Sequence, residues 1–340
     1  MVSMNAVSRQ ALKTNGRLSP KHLILYADKR IVVLNKPAGL VSQLQNGNSK
    51  KSGNNSGDVV FREALQNVQN ALNIEGDLKT VHRLDKPTTG AFLLARTQHA
   101  AKDLATQIKQ RAVEKSYLAL VCGAASDFPA MKGTMEHQLE CRDGRIRMLQ
   151  NLDHSPPPLE ADGRGEYWTK EARSAYEVLA TSPKVPLSLV RLELSTGFKH
   201  QLRVGLSQYL RTPVLGDTWY GSEDKTGSIL RSLGLKPTPF MHLHSSQFAF
   251  KRYSRELTPK GFKFSIGAPL HGPFIKVCQA AEIPLHVDLS HGGVWINGVK
   301  VRGVGAMKEN TEATQQVGKE PQERQLDAID SLRGVWYGPS

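Results

Sequence analysis

Cysteine is scarce in this chain of 340 residues, and long apolar runs are lacking. The three cysteines, Cys122, Cys141 and Cys278, are odd in number and widely spaced. They exclude a disulfide-stapled scaffold and a CxxC zinc or redox site, and they favour a reducing compartment. The longest apolar runs, such as residues 31–34, have the length of a strand, whereas a membrane-spanning helix needs roughly 18 residues.

Acidic residues are also in short supply. The chain has 45 Lys and Arg residues against 31 Asp and Glu residues, which gives a formal net charge of +14. An excess of this size favours a polyanionic partner, nucleic acid first, although solubility and a basic targeting segment would also account for it. With 39% hydrophobic residues the chain can bury an ordinary core, which excludes a mainly disordered protein.

The composition divides the chain into a globular region and two polar ends. Residues 1–22 are basic, rich in hydroxyl groups and free of acids, which is typical of a mitochondrial presequence but also of a disordered basic arm that touches RNA. Residues 23–304 form the predicted globular domain, in which the Asn/Ser/Gly/Lys-rich residues 43–57 indicate a flexible loop. Residues 305–340 are predicted to be mostly disordered.

Helical and strand patterns alternate in the globular region without a regular βαβ rhythm. Alternating apolar residues indicate a half-buried strand at residues 190–194, and apolar positions near a period of 3.6 indicate helices after Asp58 and after Thr97. Thr196-Gly197 is predicted to lead into a further helix. The pattern favours an α+β fold with a mixed, mainly antiparallel central sheet, flanked by helices and loops.

Two charged residues stand out as candidates for chemistry. Asp85 lies in a polar turn before an apolar strand, which is a common place for a catalytic carboxylate, although an Asp in such a turn often only caps it. Arg203 lies beside apolar residues of a predicted helix, where a partly buried guanidinium needs an anionic partner. The residues around Asp85 lack the rest of a protein-kinase signature, which excludes that class.

Motifs for cofactors are missing. The pair His242 and His244 lies on one face of a predicted strand, but no Cys or carboxylate arrangement completes a metal site. The glycines at 216 and 221 belong to neither a P-loop nor a dinucleotide-binding fingerprint. We therefore expect no cofactor.

Six motifs in order resemble the RluA-type family of pseudouridine synthases. They are a Lys-Pro-Gly turn, a His-Arg-Leu-Asp turn, a Lys-x-Tyr strand, a Thr-Gly segment ending in His-Gln-Leu-Arg-Val, a Gly-Asp-x-x-Tyr-Gly turn and a Leu-His strand. These motifs occupy residues 35–40, 82–90, 114–121, 195–204, 214–221 and 243–250.

This resemblance implies an enzyme that isomerises uridine in RNA to pseudouridine without a cofactor, with an active-site cleft across the sheet. The bond between C1′ and N1 breaks, and C5 of the rotated uracil bonds to C1′. Asp85 matches the family's catalytic acid and Arg203 the arginine that pairs with it and keeps it ionised. Tyr117 matches the tyrosine that stacks on uracil and is a candidate base for the C5 proton, or else a core aromatic. Whether Asp85 attacks the ribose or removes its 2′ proton stays open.

The resemblance also implies a set of substrate-binding residues. The target base must be flipped out of its stack, and Arg83 matches the arginine that fills the gap. Further residues are expected to support the turn, line the uracil pocket or contact phosphate: His82, Leu84, Lys115 and Leu202.

The chain departs from the family pattern at several positions. Thr89 replaces the usual Ser, Phe198 and Lys199 stand where Arg-Thr is common, and Gly205 replaces a His. About 22 residues precede the catalytic region, so we expect no S4 RNA-binding domain. RNA choice is then expected to rest on the catalytic domain, the 43–57 loop and the basic ends.

The RNA target is the least legible feature. The expected substrate is mitochondrial large-subunit rRNA, the expected location is the mitochondrion and the expected state is a monomer without membrane contact. A tRNA target and a cytoplasmic location stay open. Two other readings also stay open, namely an inactive RNA-binding or ribosome-assembly factor on the same scaffold and a base-excision glycosylase.

Overall fold

A computed structural model describes residues 23–44, 56–149, 167–254, 258–301, 332 and 334–339. Three of the sequence predictions fall mainly elsewhere. The presequence-like residues 1–22 lie outside the described residues, and so do most of the 43–57 loop and most of the 305–340 tail.

Strands dominate the described part of the chain, and we number them in chain order. Those of the N-terminal part are β1 (Ile24–Ala27), β2 (Ile31–Lys36), β3 (Lys79–Thr80), β4 (Thr89–Ala95) and β5 (Glu114–Val121). The middle strands are β6 (Lys132–Arg142), β7 (Arg145–Met148), β8 (Tyr167–Thr181) and β9 (Ser188–Leu194). The last strands are β10 (Leu243–Ser254), β11 (Thr258–Gly267), β12 (Gly293–Ile296), β13 (Val299–Lys300) and β14 (Val335–Trp336).

Helices are fewer and mostly short. They are α1 (Ser56–Ala71), α2 (Gln98–Lys109), α3 (Gln201–Val204), α4 (Glu223–Ser232), α5 (Gly272–Ala280) and α6 (Val287–His291). A wider π-type turn, Gly205–Tyr209, continues α3, and a single 3₁₀ turn covers Ala125–Asp127.

The chain folds as two compact units. The first contains the described residues of Met1–Lys115, Ser245–Leu270 and His286–Ser340. Its strand order is β14-β1-β2-β4-β10-β11-β12-β13, with β3 also beside β4. The registers of β2 with β4 and of β10 with β11 are antiparallel. One face buries a core that includes Tyr26, Leu93, Leu104, Phe250 and Phe264, and α2 covers part of it.

The second unit contains Ser116–His244 and His271–Leu285. Its strands run in the order β5-β9-β8-β6-β7, and the registers of β5 with β9, β9 with β8, β8 with β6 and β6 with β7 are all antiparallel. Val204 of α3 packs against the apolar face of β6, β7 and β8, in a cluster with Leu139, Cys141, Ile146 and Ala172. This contact seats the helix that carries Arg203 on the sheet.

The predicted fold class, α+β with a mixed and mainly antiparallel sheet, is confirmed. Thr97 caps α2, and its hydroxyl accepts the Ala100 N–H at 3.1 Å. Two local details differ from the sequence prediction. Helix α1 begins at Ser56, so Asp58 lies in its first turn rather than before it. The last residues of the tail pair with β1, since the Tyr337 N–H donates to the Leu25 carbonyl at 2.8 Å.

Candidate active site

Asp85 lies in a tight turn between β3 and β4 of the first unit. The Asp85 carbonyl accepts the Thr88 N–H at 3.0 Å, which closes the turn. Behind it, Gly90 has a φ of +106°, and a Cβ there would lie 2.2 Å from the Ser245 carbonyl oxygen. Only glycine tolerates this combination of backbone angle and close approach, so Gly90 fixes how the turn enters β4.

Lys36 at the end of β2 fastens this turn to the preceding Pro-Ala-Gly turn. Its side chain is fully buried, and its ammonium donates to the carbonyls of Pro37 at 3.2 Å, Leu40 at 2.6 Å and Lys86 at 3.1 Å. The Lys86 carbonyl also accepts the Gly39 N–H at 2.8 Å. A single side chain therefore ties the Pro-Ala-Gly turn to the turn that carries Asp85.

Burial shifts the pKa of Lys36. Desolvation lowers the pKa to about 7, the Asp85 carboxylate opposes that shift and the charge of Lys86 adds to it. The charge of Asp85 is thus one of the factors that keep this buried amine cationic.

His82 and Leu84 anchor the turn from its other end. The His82 Nε2 accepts the Leu93 N–H at 2.8 Å, which requires the neutral imidazole, and the ring packs against Phe92 and Phe248. Burial lowers the pKa of His82 to about 3, with a further contribution from the charge of Lys115. A neutral imidazole of this kind braces the turn and carries no positive charge.

A serine hydroxyl completes the support of the turn. The Ser42 Oγ donates to the Leu84 carbonyl at 2.7 Å and accepts the Leu84 N–H at 3.1 Å. Leu84 itself is buried, whereas Arg83 is exposed and Lys115 is half-buried, with a pKa lowered by burial. Of the three residues before Asp85, His82 and Leu84 anchor the turn to the protein, whereas Arg83 is exposed to solvent.

Arg203 lies in the second unit and is only 4% exposed. Its Nε donates to Oδ2 of Asp217 at 2.7 Å and its Nη2 donates to Oδ1 at 2.8 Å, which is a bidentate pairing. Burial alone would raise the pKa of Asp217, but the hydrogen bonds and charge of Arg203 outweigh it, and the net pKa is lowered. The pair is therefore ionic in the folded protein.

The turn that carries Asp217 wraps this ion pair. Oδ1 of Asp217 also accepts the N–H groups of Trp219 at 2.9 Å and Tyr220 at 3.2 Å. The Tyr220 ring lies 5.0 Å from the guanidinium carbon of Arg203, and its hydroxyl is 2.7 Å from Nδ1 of His200. The guanidinium is thus held in a cage formed by the Asp217 carboxylate and the rings of Tyr220 and Trp219.

Gln201 holds the entrance of α3 to β8. Its amide nitrogen donates to the Ser174 hydroxyl at 2.8 Å and to the Arg173 carbonyl at 3.1 Å, while its oxygen accepts from the Thr196 hydroxyl and the Phe198 N–H. His200, directly before the helix, has a left-handed φ of 57°. The Thr-Gly segment therefore reaches the helix only at Gln201, four residues after Gly197.

The remaining predicted residues of the second unit lie close to the core. Tyr117 is 6% exposed on β5, opposite Leu192 of β9, and Leu202 is buried on α3 next to Arg203. Gly205, where the family pattern has a His, lies tightly against two side chains. A Cβ there would lie 3.2 Å from both His137 Cε1 and Met135 Sδ.

The structure thus groups the predicted residues within each unit. The first unit gathers His82, Arg83, Leu84 and Asp85 in one turn, with Lys115 near His82, and the second unit carries Tyr117, Leu202 and Arg203. Sequence reasoning assigned no role to Lys36, Asp217 or Tyr220. All three lie inside quoted motifs, and the signal that could have found Asp217 is an acid placed between glycines close to a buried arginine.

The described residues contain neither a metal-binding cluster nor a membrane-spanning helix. Within them, no group of three or more His, Cys, Asp or Glu side chains could hold a metal ion. Among the same residues, no helix is long and apolar enough to cross a membrane.

Comparison with known proteins identifies the family. The sequence profile described as "RNA pseudouridylate synthase" matches residues 30–208, a little more than half of the chain. The chain therefore belongs to the RNA pseudouridylate synthase family.

Curated relatives carry related names. The chain is 31% identical over 229 residues to an uncharacterized RNA pseudouridine synthase of Mycoplasma pneumoniae, which covers 67% of this chain and 61% of that protein. It is 33% identical to the mitochondrial pseudouridylate synthase RPUSD4 of Xenopus tropicalis, over 61% of this chain and 66% of the relative. The chain thus spans slightly less than two thirds of the length of these two relatives. It is also 30% identical to the tRNA pseudouridine synthase C of Yersinia pestis, over 62% of this chain and 75% of the relative.

A solved structure agrees on the fold. Human RNA pseudouridylate synthase domain containing 4 superposes with a TM-score of 0.57 at 24% identity, covering 82% of this chain and 97% of that one. This likeness supports the architecture alone.

Proposed function

We propose that the chain is an RNA pseudouridine synthase that converts specific uridines to pseudouridine. The observation that carries the proposal is the placement of Asp85, on a turn fastened by Lys36, His82 and Ser42. A carboxylate that must act on one ribose needs such a fixed position. Membership of the family supplies the reaction class.

Asp85 is the proposed catalytic residue. Its carboxylate acts on the ribose, either as the nucleophile at C1′ or as the base that takes the 2′ proton, and both roles need the ionised form. The C1′–N1 bond breaks, the uracil turns, C5 bonds to C1′, C5 loses a proton and N1 gains one. Atoms and electrons balance within the nucleoside, so the reaction consumes no co-reactant.

Tyr117 and Arg203 are proposed to act with Asp85. Tyr117 stacks on the uracil and acts as the base that removes the C5 proton. Arg203 supplies positive charge. Support for Arg203 comes from its rigid placement by Asp217 and Tyr220. The sequence-based pairing of Arg203 with Asp85 stays a prediction.

The proposed substrate-binding residues follow the same division between anchors and contacts. Arg83 is exposed, which suits a side chain that enters the RNA stack when the base is flipped out. Lys115 is proposed to contact phosphate and Leu202 to line the uracil pocket, while His82 and Leu84 shape the turn. No direct contact of the last two with the base is needed for this role.

We propose mitochondrial large-subunit rRNA as the substrate and the mitochondrion as the location. Support comes from the basic, acid-free start of the chain and from relatives named as mitochondrial pseudouridylate synthases in Xenopus tropicalis and Danio rerio. Mapping pseudouridines in a deletion strain distinguishes this target from tRNA, because the lost site names the RNA. Fractionation that places the protein wholly in the cytosol would overturn the location.

An Asp85→Asn variant tests the reaction. We expect it to abolish pseudouridine formation, by at least a thousandfold, because the amide neither attacks the ribose nor takes a proton, while RNA binding persists. Purified protein is incubated with uridine-labelled transcripts, and pseudouridine is measured by nuclease digestion and chromatography.

Asp77→Asn is the matched control, since Asp77 is an exposed carboxylate in the turn before β3. We expect this variant to keep full activity. Product from Asp85→Asn would remove Asp85 from the mechanism. Absence of product from the intact chain on every RNA tested would favour the inactive RNA-binding protein, and free uracil would favour a glycosylase.

A further inference from the structure

Trp219 is an unusual surface residue. Its indole is 64% exposed, the highest value among the large hydrophobic side chains in the described part of the chain. It stands in the Gly-Asp-Thr-Trp-Tyr-Gly turn, two residues after Asp217. The exposed ring offers apolar area that a ligand could cover.

The ring of Trp219 is held in place although it is exposed. Its backbone N–H donates to Asp217 Oδ1 at 2.9 Å, the same carboxylate that binds Arg203. The His200 ring meets it nearly edge-on, at a centroid distance of 5.2 Å and an angle of 80°. The guanidinium carbon of Arg203 lies 5.9 Å from its centroid. The indole therefore stands as a fixed flat surface beside a proposed catalytic residue.

We propose that Trp219 stacks on a nucleobase next to the modified uridine and so contributes to RNA binding. This inference rests on the proposed function, because it places the RNA beside Arg203. Stacking on an aromatic ring is tolerant of base identity, since every base offers a π-face, and a ring fixed in advance loses little entropy on binding.

The surroundings of Trp219 favour a base over other ligands. Glu223 and Asp224, exposed in the first turn of α4, follow four and five residues later in the chain. Thr218 beside it is exposed and polar. Thr218, Glu223 and Asp224 are therefore polar neighbours of Trp219 in the chain, and they do not extend it into an apolar patch of the kind that a protein partner would cover.

Tryptophan fluorescence can test this proposal directly. The chain has four tryptophans, Trp168, Trp219, Trp295 and Trp336, and a base that stacks on one of them quenches its emission. The probes are a 12-nucleotide single-stranded RNA and a 12-unit abasic ribose-phosphate strand of the same charge. We expect the RNA to quench the intact protein, the abasic strand to leave emission nearly unchanged and Trp219→Phe to lose most of the quenching.

Trp295→Phe is the matched control, because Trp295 is half-buried on β12 of the first unit. We expect this variant to retain the quenching. In addition, Trp219→Ala should weaken binding of the 12-mer about tenfold, whereas Trp219→Phe, which keeps a ring, should weaken it by less than threefold. For a transcript that the intact protein modifies, the factor by which KM rises in Trp219→Ala should exceed the factor by which kcat falls.

Two results would overturn the inference. One is undiminished quenching in Trp219→Phe, and the other is unchanged RNA affinity and KM in Trp219→Ala. Equal quenching by the abasic strand would also overturn it, since it would show that the backbone rather than a base is bound. The Asp85→Asn variant separates the two proposals. Loss of product with quenching intact supports both of them. Product formation by Asp85→Asn would contradict the catalytic role of Asp85 and would leave the result for Trp219 unaffected.

Discussion

The chain holds the two residues proposed for catalysis, Asp85 and Arg203, in different ways. Asp85 lies on a turn that is held by side chains bonded to backbone groups. These side chains are the Lys36 ammonium, the Ser42 hydroxyl and the His82 imidazole. Arg203, in contrast, is itself gripped through its charged group by Asp217. The turn around Asp85 is held by bonds from neighbouring side chains, and the Arg203 guanidinium is held by direct bonds to a carboxylate.

This difference suits the chemistry proposed for each residue. A carboxylate that attacks the ribose or takes its proton needs a fixed position, which a braced turn provides. A guanidinium that supplies charge can spend two donors on a fixed partner, because its planar fork has five N–H donors. The two designs should therefore respond differently when a support is removed.

The largest loss is expected from Asp217→Ala. The change leaves the Arg203 guanidinium buried without its bidentate partner, and breaking such a pair from one side costs about 3–5 kcal/mol in the free energy of unfolding. Pseudouridine formation should fall strongly as well, because Arg203 loses its position. Chemical denaturation and single-turnover assays measure the two effects.

A second buried pair provides the control. Arg252 and Asp28, in the first unit, form an ion pair whose side chains are as buried as those of Arg203 and Asp217. Asp28→Ala should lose comparable stability, yet it should keep normal activity at a temperature where the protein stays folded. Equal loss of activity in both variants would show that Asp217 matters only for folding.

Lys36→Met is expected to have a smaller effect on stability. It removes the donor shared by three carbonyls, which should cost about 1–3 kcal/mol near pH 7, and it should lower activity by loosening the Asp85 turn. Lys86→Met, a change of the exposed neighbouring lysine, should be nearly neutral for stability. Denaturation of both variants beside the intact chain gives the comparison.

The pH dependence identifies the cause of the Lys36 effect. The folded-state pKa of Lys36, about 7, lies below its usual value of 10.5, so the unfolded chain binds more protons between these limits. The free energy of unfolding of the intact protein should then rise with pH from about 7 towards 10. The gap to Lys36→Met should widen over that range, and a constant gap would show that Lys36 is not desolvated.

Much of the first region could be predicted from the sequence. The Pro and Gly signals around Asp85 mark a turn before an apolar strand, and the turn is there. The role of Lys36 could not be predicted, because a lysine at the end of a strand is usually solvated. Its acceptors include a carbonyl 50 residues further along the chain, a contact that local patterns do not contain.

The second region was predictable in kind but not in detail. Apolar neighbours indicated that Arg203 is partly buried and needs an anion, and the structure shows a buried arginine with a carboxylate. From the sequence, Asp85 was the candidate anion for Arg203. The structure pairs Arg203 with Asp217, which is only 14 residues away in the chain. A turn between the two folds the acid back onto the helix, and turn geometry of this length is not legible from residue types.

The smallest effect is expected from Tyr220→Phe, which removes one hydroxyl from the Arg203 cage. The hydrogen bond to His200 is lost, which should cost about 1 kcal/mol, while the ring stays in place beneath the guanidinium. Denaturation should therefore place this variant well above Asp217→Ala in stability, with activity only slightly reduced. A loss as large as that of Asp217→Ala would mean that the hydroxyl network, rather than the ion pair, holds Arg203, and the contrast between the two regions would fail.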